Sequence, residues 1–209
     1  MKSFSKLSEV ATCRTVLIAG QQGRGKTYNI LNDIKLKYTD TDNTDNDVLW
    51  LSTNNVRGLA ENATDNFYHC DIPDWNTFDN AHNLVVKDKS IYSAIVIDTI
   101  DDLFRCALNN ARSTNNPVGI LTQSDYLLCA ETIIVRLKTL SKFTKSLYCS
   151  VNIVKDRDGN LVLSLNRDFY NKLLPLFNDR WVCVSKTAKG VTNYDLVKDL
   201  TKMSAYSPS

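Results

Sequence analysis

The stretch Gly20-Gln21-Gln22-Gly23-Arg24-Gly25-Lys26-Thr27 constrains this chain more than any other. It is a complete G-x-x-x-x-G-K-[ST] pattern set directly behind the apolar run Val16-Leu17-Ile18-Ala19. Glycines let successive backbone N–H groups curl around an anion, a lysine brings a point charge to the β- and γ-phosphates, and a hydroxyl can ligate Mg²⁺. The pattern has this meaning only between a strand and a helix. Beyond it Ile30, Leu31, Ile34 and Tyr38 fall on one helical face, so a helix is expected over 28–38. The residues therefore point to a phosphate-binding loop rather than a glycine-rich helix cap. Its expected nucleotide-contacting set is Gly20, Gln21, Gln22, Gly23, Arg24, Gly25, Lys26, Thr27 and Tyr28.

Such a loop needs a sheet around it, and the remaining pattern supplies one. Short buried-strand candidates stand at 48–51 and 67–70, followed by Trp75, Phe78, His82 and Val85 at helical spacing. A strand at 91–97 leads into the clearest helix, 99–112, where Ile100, Leu103, Phe104, Ala107, Leu108 and Ala111 share a face. A second long helix is expected over 124–145, with Leu127, Ala130, Ile134 and Leu137 inward, and then a strand over 147–154. Asp156-Arg157-Asp158-Gly159-Asn160 reads as a hairpin turn, and 181–184 against 191–196 as a second hairpin. Strands alternating with helices predict an α/β fold: a mostly parallel sheet covered on both faces, with antiparallel additions toward the C-terminus. The expected organisation is an N-terminal extension over 1–12, one domain over 13–200 and a frayed tail over 201–209. The acidic run at 40–47 reads as a solvated loop.

Composition narrows the function classes. With 209 residues, 43% hydrophobic and 23% charged, the chain is long enough to bury a core. A net charge of +2 gives no whole-chain nucleic-acid signature, so any such surface would be a local patch. The six cysteines, at 13, 70, 106, 129, 149 and 183, contain no C-x-x-C pair, and His69 and His82 complete no zinc pattern. They read as small buried hydrophobes in a reducing compartment, and the expected location is cytoplasmic. No run approaches the roughly 18 apolar residues of a membrane span, and the N-terminus shows no secretion signal.

A phosphate loop that handles Mg²⁺ wants a carboxylate at the end of a nearby strand, and Ala94-Ile95-Val96-Ile97-Asp98 provides one. Thr27 and Asp98 are the candidate Mg²⁺ ligands, and ATP with Mg²⁺ is the expected cofactor pair. The catalytic base is less evident. Thr99 follows Asp98, and the strand at 48–51 ends in Ser52-Thr53-Asn54-Asn55 without an acid. The chain has only three glutamates, Glu9, Glu61 and Glu131, of which Glu61 is the one placed to act as a base. Asp101 is the other candidate, and each of these two residues taken alone reads more simply as solvated surface.

The loop pattern, the span Ser-Ala-Ile-Val-Ile-Asp-Thr-Ile-Asp-Asp-Leu-Phe at 93–104 and the subsequent order of helix, strand and D-G hairpin together resemble the phage RecA-like P-loop ATPases. These are small phage nucleotide-binding proteins that include a single-strand annealing type. The resemblance covers 13–185 in element order and is specific at the loop and around Asp98. It implies an ATP-binding, ATP-hydrolysing protein acting on single-stranded DNA in recombination, annealing or replication, as a homo-oligomer without membrane contact. It also implies a γ-phosphate sensor at the end of the 147–154 strand, where this chain has Asn152. DNA-contacting cations fall at Lys155 and Arg157, and a cation acting on a neighbouring subunit's site is to be sought among Arg180, Lys186 and Lys189. On the residues alone, other classes stay open: a nucleotide-binding oligomerisation or DNA-binding module without useful turnover, and a small-molecule phosphotransferase.

Overall fold

The computed structural model describes residues 13–38, 47–53, 66–115, 120–188 and 191–197. The expected extension over 1–12, the tail over 201–209 and most of the acidic run lie outside them. The first strand, β1 (Arg14–Gly20), enters α1 (Lys26–Tyr38) through the glycine loop. Then come β2 (Val48–Ser52), β3 (Phe67–Asp71), α2 (Trp75–Asp88), β4 (Tyr92–Asp98), α3 (Ile100–Asn115) and α4 (Gln123–Leu140). The chain continues through β5 (Thr144–Lys155), β6 (Leu161–Leu163), α5 (Arg167–Leu173), a 3-10 turn at Leu174–Leu176, β7 (Asp179–Ala188) and β8 (Val191–Val197).

The eight strands form one sheet in the order β3-β2-β4-β5-β1-β7-β8, with β6 paired to β5. All neighbours along the path are parallel except β7 and β8, and β6 is antiparallel to β5. This is the mixed, mostly parallel α/β architecture the alternating pattern predicts. The central strands are apolar without interruption because both faces are covered, and period-two alternation divides their side chains. Val16, Ile18, Trp50, Ala94, Val96 and Tyr148 pack with Ile30, Leu31 and Ile34 of α1. Leu17, Ala19, Leu51, Ile95, Ile97, Leu147 and Val151 face the layer of α2, α3, α4 and α5.

Boundaries differ from the periodic pattern where local capping overrides it. Thr122 and Asp125 form a capping box that starts α4 at Gln123, and the helix stops at Leu140 rather than 145 because β5 already begins at Thr144. Leu127, expected inward, is 41% exposed, while Cys129, Ile133 and Leu140 join the buried face. The α5 helix has no counterpart among the sequence expectations, since seven residues are too few for a periodic signal. Asn166 caps it by accepting from the Phe169 amide at 2.7 Å, and Phe169 packs on Phe104 with ring centroids 4.5 Å apart. Among the described residues no helix is long and apolar enough to cross a membrane.

Candidate active site

Between the end of β1 and the start of α1 the chain must reverse tightly, and its glycines are placed where that demands them. Gly23 and Gly25 have φ of +72° and +81°, the left-handed region that side chains with a Cβ rarely adopt. Gly20 is needed for room instead: a Cβ there would lie 3.0 Å from Cys183 Cβ and 3.2 Å from Lys26 Cγ. The Asn29 amide nitrogen and backbone N–H both donate to the Gly25 carbonyl, at 3.0 and 2.9 Å, which ties the loop to the first turn. That turn holds no acidic residue, so the positive end of the α1 dipole is left uncompensated from within the helix.

Sheet order decides which side chains meet the loop. Because β5 lies between β1 and β4, the C-terminal ends of these three strands lie side by side, with Asn152 in register with Gly20. The Lys26 ammonium donates to the Gly20 carbonyl at 3.0 Å, the Gln21 carbonyl at 3.3 Å and Asn152 Oδ1 at 2.7 Å. Thr27 Oγ1 donates to Asp98 Oδ2 at 2.8 Å, and the Ser150 hydroxyl donates to Asp98 Oδ1. Lys26, Asp98 and Ser150 are all buried. Burial pulls the Lys26 pKa down, against the opposing pull of the Asp98 and Asp101 carboxylates.

The backbone behind Asp98 is held from β2. The Thr53 amide donates to the Asp98 carbonyl at 2.8 Å, and the Thr99 amide donates to Thr53 Oγ1 at 3.0 Å, across a cis Asp98–Thr99 peptide. Thr99 then caps α3, its Oγ1 accepting from the Asp102 backbone N–H at 3.4 Å and donating to Asp102 Oδ2 at 2.9 Å.

The structure thus gathers Lys26, Thr27, Asp98 and Asn152, and it corrects the picture of Asp101. Far from solvated, Asp101 is 4% exposed and accepts from Asn152 with both oxygens. A carboxylate in the first turn of α3, three residues after Asp98, is carried inward beneath β5 by the same turn that buries Ile100 and Leu103. The Asn152 amide nitrogen donates to Asp101 at 2.9 Å, so the group facing Lys26 is the acceptor oxygen. Gln22 and Arg24 are exposed on the loop, and Tyr28 is 55% exposed on the first turn of α1.

Other candidates are placed apart. Lys155 and Arg157 are exposed at the β5–β6 hairpin, where Asp156 accepts from the amides of Asp158 and Asn160 at 3.0 and 2.8 Å. That acid closes the turn rather than pairing with the cations beside it. Arg180, at the start of β7, is in register with Leu17 and donates to the Phe177 carbonyl at 3.2 Å, well before the strand reaches the loop. Lys186 lies on β7 opposite Asn193, and Glu61 and Lys189 lie outside the described residues. Sequence reasoning missed Ser150, Thr53 and Asn29. Ser150 had a signal, since it stands two residues before Asn152 and so on the same side of a strand.

As Mg²⁺ ligands, Thr27 and Asp98 fit on chemical grounds: both offer hard oxygen donors, and both are already in contact. Among the described residues no group of three or more His, Cys, Asp or Glu side chains is arranged to hold a metal.

A family model described as AAA domain matches residues 12–161, which hold the loop, Asp98, Asp101 and Asn152. No curated protein matches the chain. Among solved structures, one ATPase domain aligns over 92% of this chain and 83% of its own, at 13% identity and a TM-score of 0.52. That places the two in one fold. The flagellar accessory protein FlaH from Methanocaldococcus jannaschii aligns over 88% of this chain and 78% of its own, at 12% identity and a TM-score of 0.49.

Proposed function

This chain belongs to the AAA domain family, and from that premise we propose that it binds ATP with Mg²⁺ on the loop at 20–27 and hydrolyses it, coupling nucleotide state to single-stranded DNA. The observation that carries the nucleotide reading is the convergence at one sheet end. Lys26 and Thr27 follow a loop of left-handed glycines, and Thr27 Oγ1 lies 2.8 Å from Asp98. Loop amides and the α1 N-terminus hold the phosphates, and Lys26 meets the charge of the β- and γ-oxygens. Thr27 and Asp98 would hold Mg²⁺, which supplies positive charge to the phosphates as the terminal bond breaks. Asp98 is kept in place by Ser150 and by the Thr53 clasp on its backbone.

What supports the DNA reading is strand continuity. The strand that bears Asn152 beside Lys26 also bears Lys155, with Arg157 in the turn beyond, so nucleotide and exposed cations share β5 and its hairpin. The expected setting is cytoplasmic, as a homo-oligomer serving recombination, annealing or replication in a phage.

One observation favours a second reading, a nucleotide-gated module without useful turnover. Asp101, a candidate base, has both oxygens engaged by Asn152, and β2 ends at Ser52 with Thr53 following it. Phosphate release from ATP and Mg²⁺, with and without single-stranded DNA, decides between them. DNA-stimulated turnover that is lost in Lys26→Ala supports the ATPase, and tight ATP binding without turnover supports the module.

A further inference from the structure

A side-chain carboxamide has two unlike ends, one accepting and one donating, and which end faces a lysine decides whether the contact attracts or repels. In β5 the choice at Asn152 is made by Asp101. Its Oδ1 accepts the Asn152 backbone N–H at 3.2 Å, which holds the carboxylate against the strand, and its Oδ2 accepts Asn152 Nδ2 at 2.9 Å. A carboxylate can only accept, so Nδ2 is drawn toward α3 and Oδ1 is left for Lys26 at 2.7 Å. Turning the carboxamide over would set oxygen against carboxylate at one end and N–H against ammonium at the other.

An ammonium has three protons, and Lys26 has three protein acceptors: Gly20 O, Gln21 O and Asn152 Oδ1. The first two belong to the loop itself, whereas the third is the shortest contact and comes from another strand. A phosphate oxygen reaches Lys26 by exchange with one of these. We infer that Asp101 is a positioning residue, buried in the first turn of α3, that fixes the Asn152 carboxamide with its oxygen toward Lys26. It thereby aims the lysine that must meet the nucleotide. Asp101 is thus neither the base nor surface, and Asn152 responds to phosphate through Lys26. This inference rests on the nucleotide reading of the loop at 20–27.

The test is a four-protein cycle in the full chain: wild type, Asp101→Asn, Asn152→Asp and the pair. Affinity for ATP with Mg²⁺ is read by titration calorimetry, and folding by thermal melting. Asp101→Asn keeps size and burial but leaves a donor facing a donor, and Asn152→Asp alone sets two carboxylates together. Each single change is expected to weaken ATP binding about tenfold. In the pair, the amide at 101 accepts from the backbone N–H and donates to the carboxylate at 152, whose other oxygen faces Lys26. Binding is expected to recover to within about threefold of wild type.

A merely structural role would leave the pair as weak as the product of the single changes. That result, or wild-type affinity in Asp101→Asn with normal melting, overturns the inference. If Asp101→Asn does not fold, the pair must still bind ATP at least about threefold more tightly than Asn152→Asp, and failure to do so also overturns it. Absence of ATP binding in the wild type overturns the nucleotide reading first, and this inference falls with it.

Discussion

At the N-terminal end of β1, Arg14 donates from Nε to Asp179 at 2.7 Å and from Nη1 to Asp33 at 2.6 Å and Tyr148 Oη at 3.0 Å. Its guanidinium lies 4.9 Å from the Trp181 ring. At the C-terminal end of the same strand, Lys26 reaches back to Gly20, Gln21 and Asn152. Both clusters place charge at low exposure and both join β1, β5 and α1, yet they are built for different ends. The guanidinium is a planar fork whose carboxylate partners match it in charge, and Tyr148 completes the ring by donating to Asp33 at 2.6 Å. Although burial alone would raise it, the Asp33 carboxyl is held below its ordinary range by the Tyr148 and Arg14 hydrogen bonds. Lys26 by contrast is a point charge on a flexible stem whose acceptors are neutral oxygens, so trading one for a phosphate costs little. Matched charge fastens a sheet to its helix, and unmatched charge stays available for an anionic ligand.

The largest effect that tests this contrast is at the unmatched end. Lys26→Ala should lower ATP turnover by at least about a thousandfold, close to 4 kcal/mol of barrier, with the melting temperature shifted by no more than about 5 °C. Phosphate release and calorimetric melting measure the two halves. Next is Arg14→Ala, which removes the guanidinium that joins Asp33 to Asp179, leaves Asp33 with Tyr148 and Lys37, and should cost about 2 kcal/mol of stability in urea unfolding while ATP affinity stays within about threefold. A large loss of ATP affinity there, with stability intact, would break the distinction between the ends. Tyr148→Phe, which removes one donor from the same ring, should cost about 1 kcal/mol by the same measurement.

The smallest effect concerns a buried group with no such matching. His82 is 3% exposed between α2 and α4, and its Nε2 has no hydrogen-bond partner. Burial lowers its pKa from the ordinary 6.5, the contact with Asn83 opposes this, and the Arg136 guanidinium adds to the lowering ahead of the opposite pull of Asp79. The unfolded chain therefore binds the proton more readily. Stability from this site is complete above pH 6.5 and declines as pH falls through that value toward the lower folded pKa. His82→Phe should flatten that acid-side slope in urea unfolding followed from pH 7.5 to 5, about the range in which a histidine titrates.

Much of the site could be read from residue order. The loop and Asp98 are local patterns, each needing only a strand before and a helix after, and the apolar stripe from Ile100 to Ala111 marks the helix behind Asp98. The first hairpin announces itself through its turn residues, Asp156 to Asn160. What stayed hidden was spatial. Asp101 reads as one more acid at the start of a helix, and nothing adjacent says that Asn152 lies over it, because the pair is 51 residues apart. Leu127 shows the same limit on a smaller scale: it follows the apolar spacing of α4 but falls at the rim, since periodicity gives a face without its width. The short α5 is set by one cap and by Phe169 docking on Phe104, a contact 65 residues distant in the chain, as 169 less 104 gives.

From sequence alone came the phosphate loop, its strand and helix, the acid at 98 and the alternating α/β plan, because all of these depend on neighbours a few residues apart. Tertiary structure alone decided that β5 runs between β1 and β4. That placement brings Ser150 onto Asp98 and Asn152 onto Lys26, turns Asp101 from surface to support, and separates an end of fixed charge pairs from an end of exchangeable ones. The physical reason is that strand order is chosen by burying both faces of the sheet at once, a condition on the whole chain that no single segment carries.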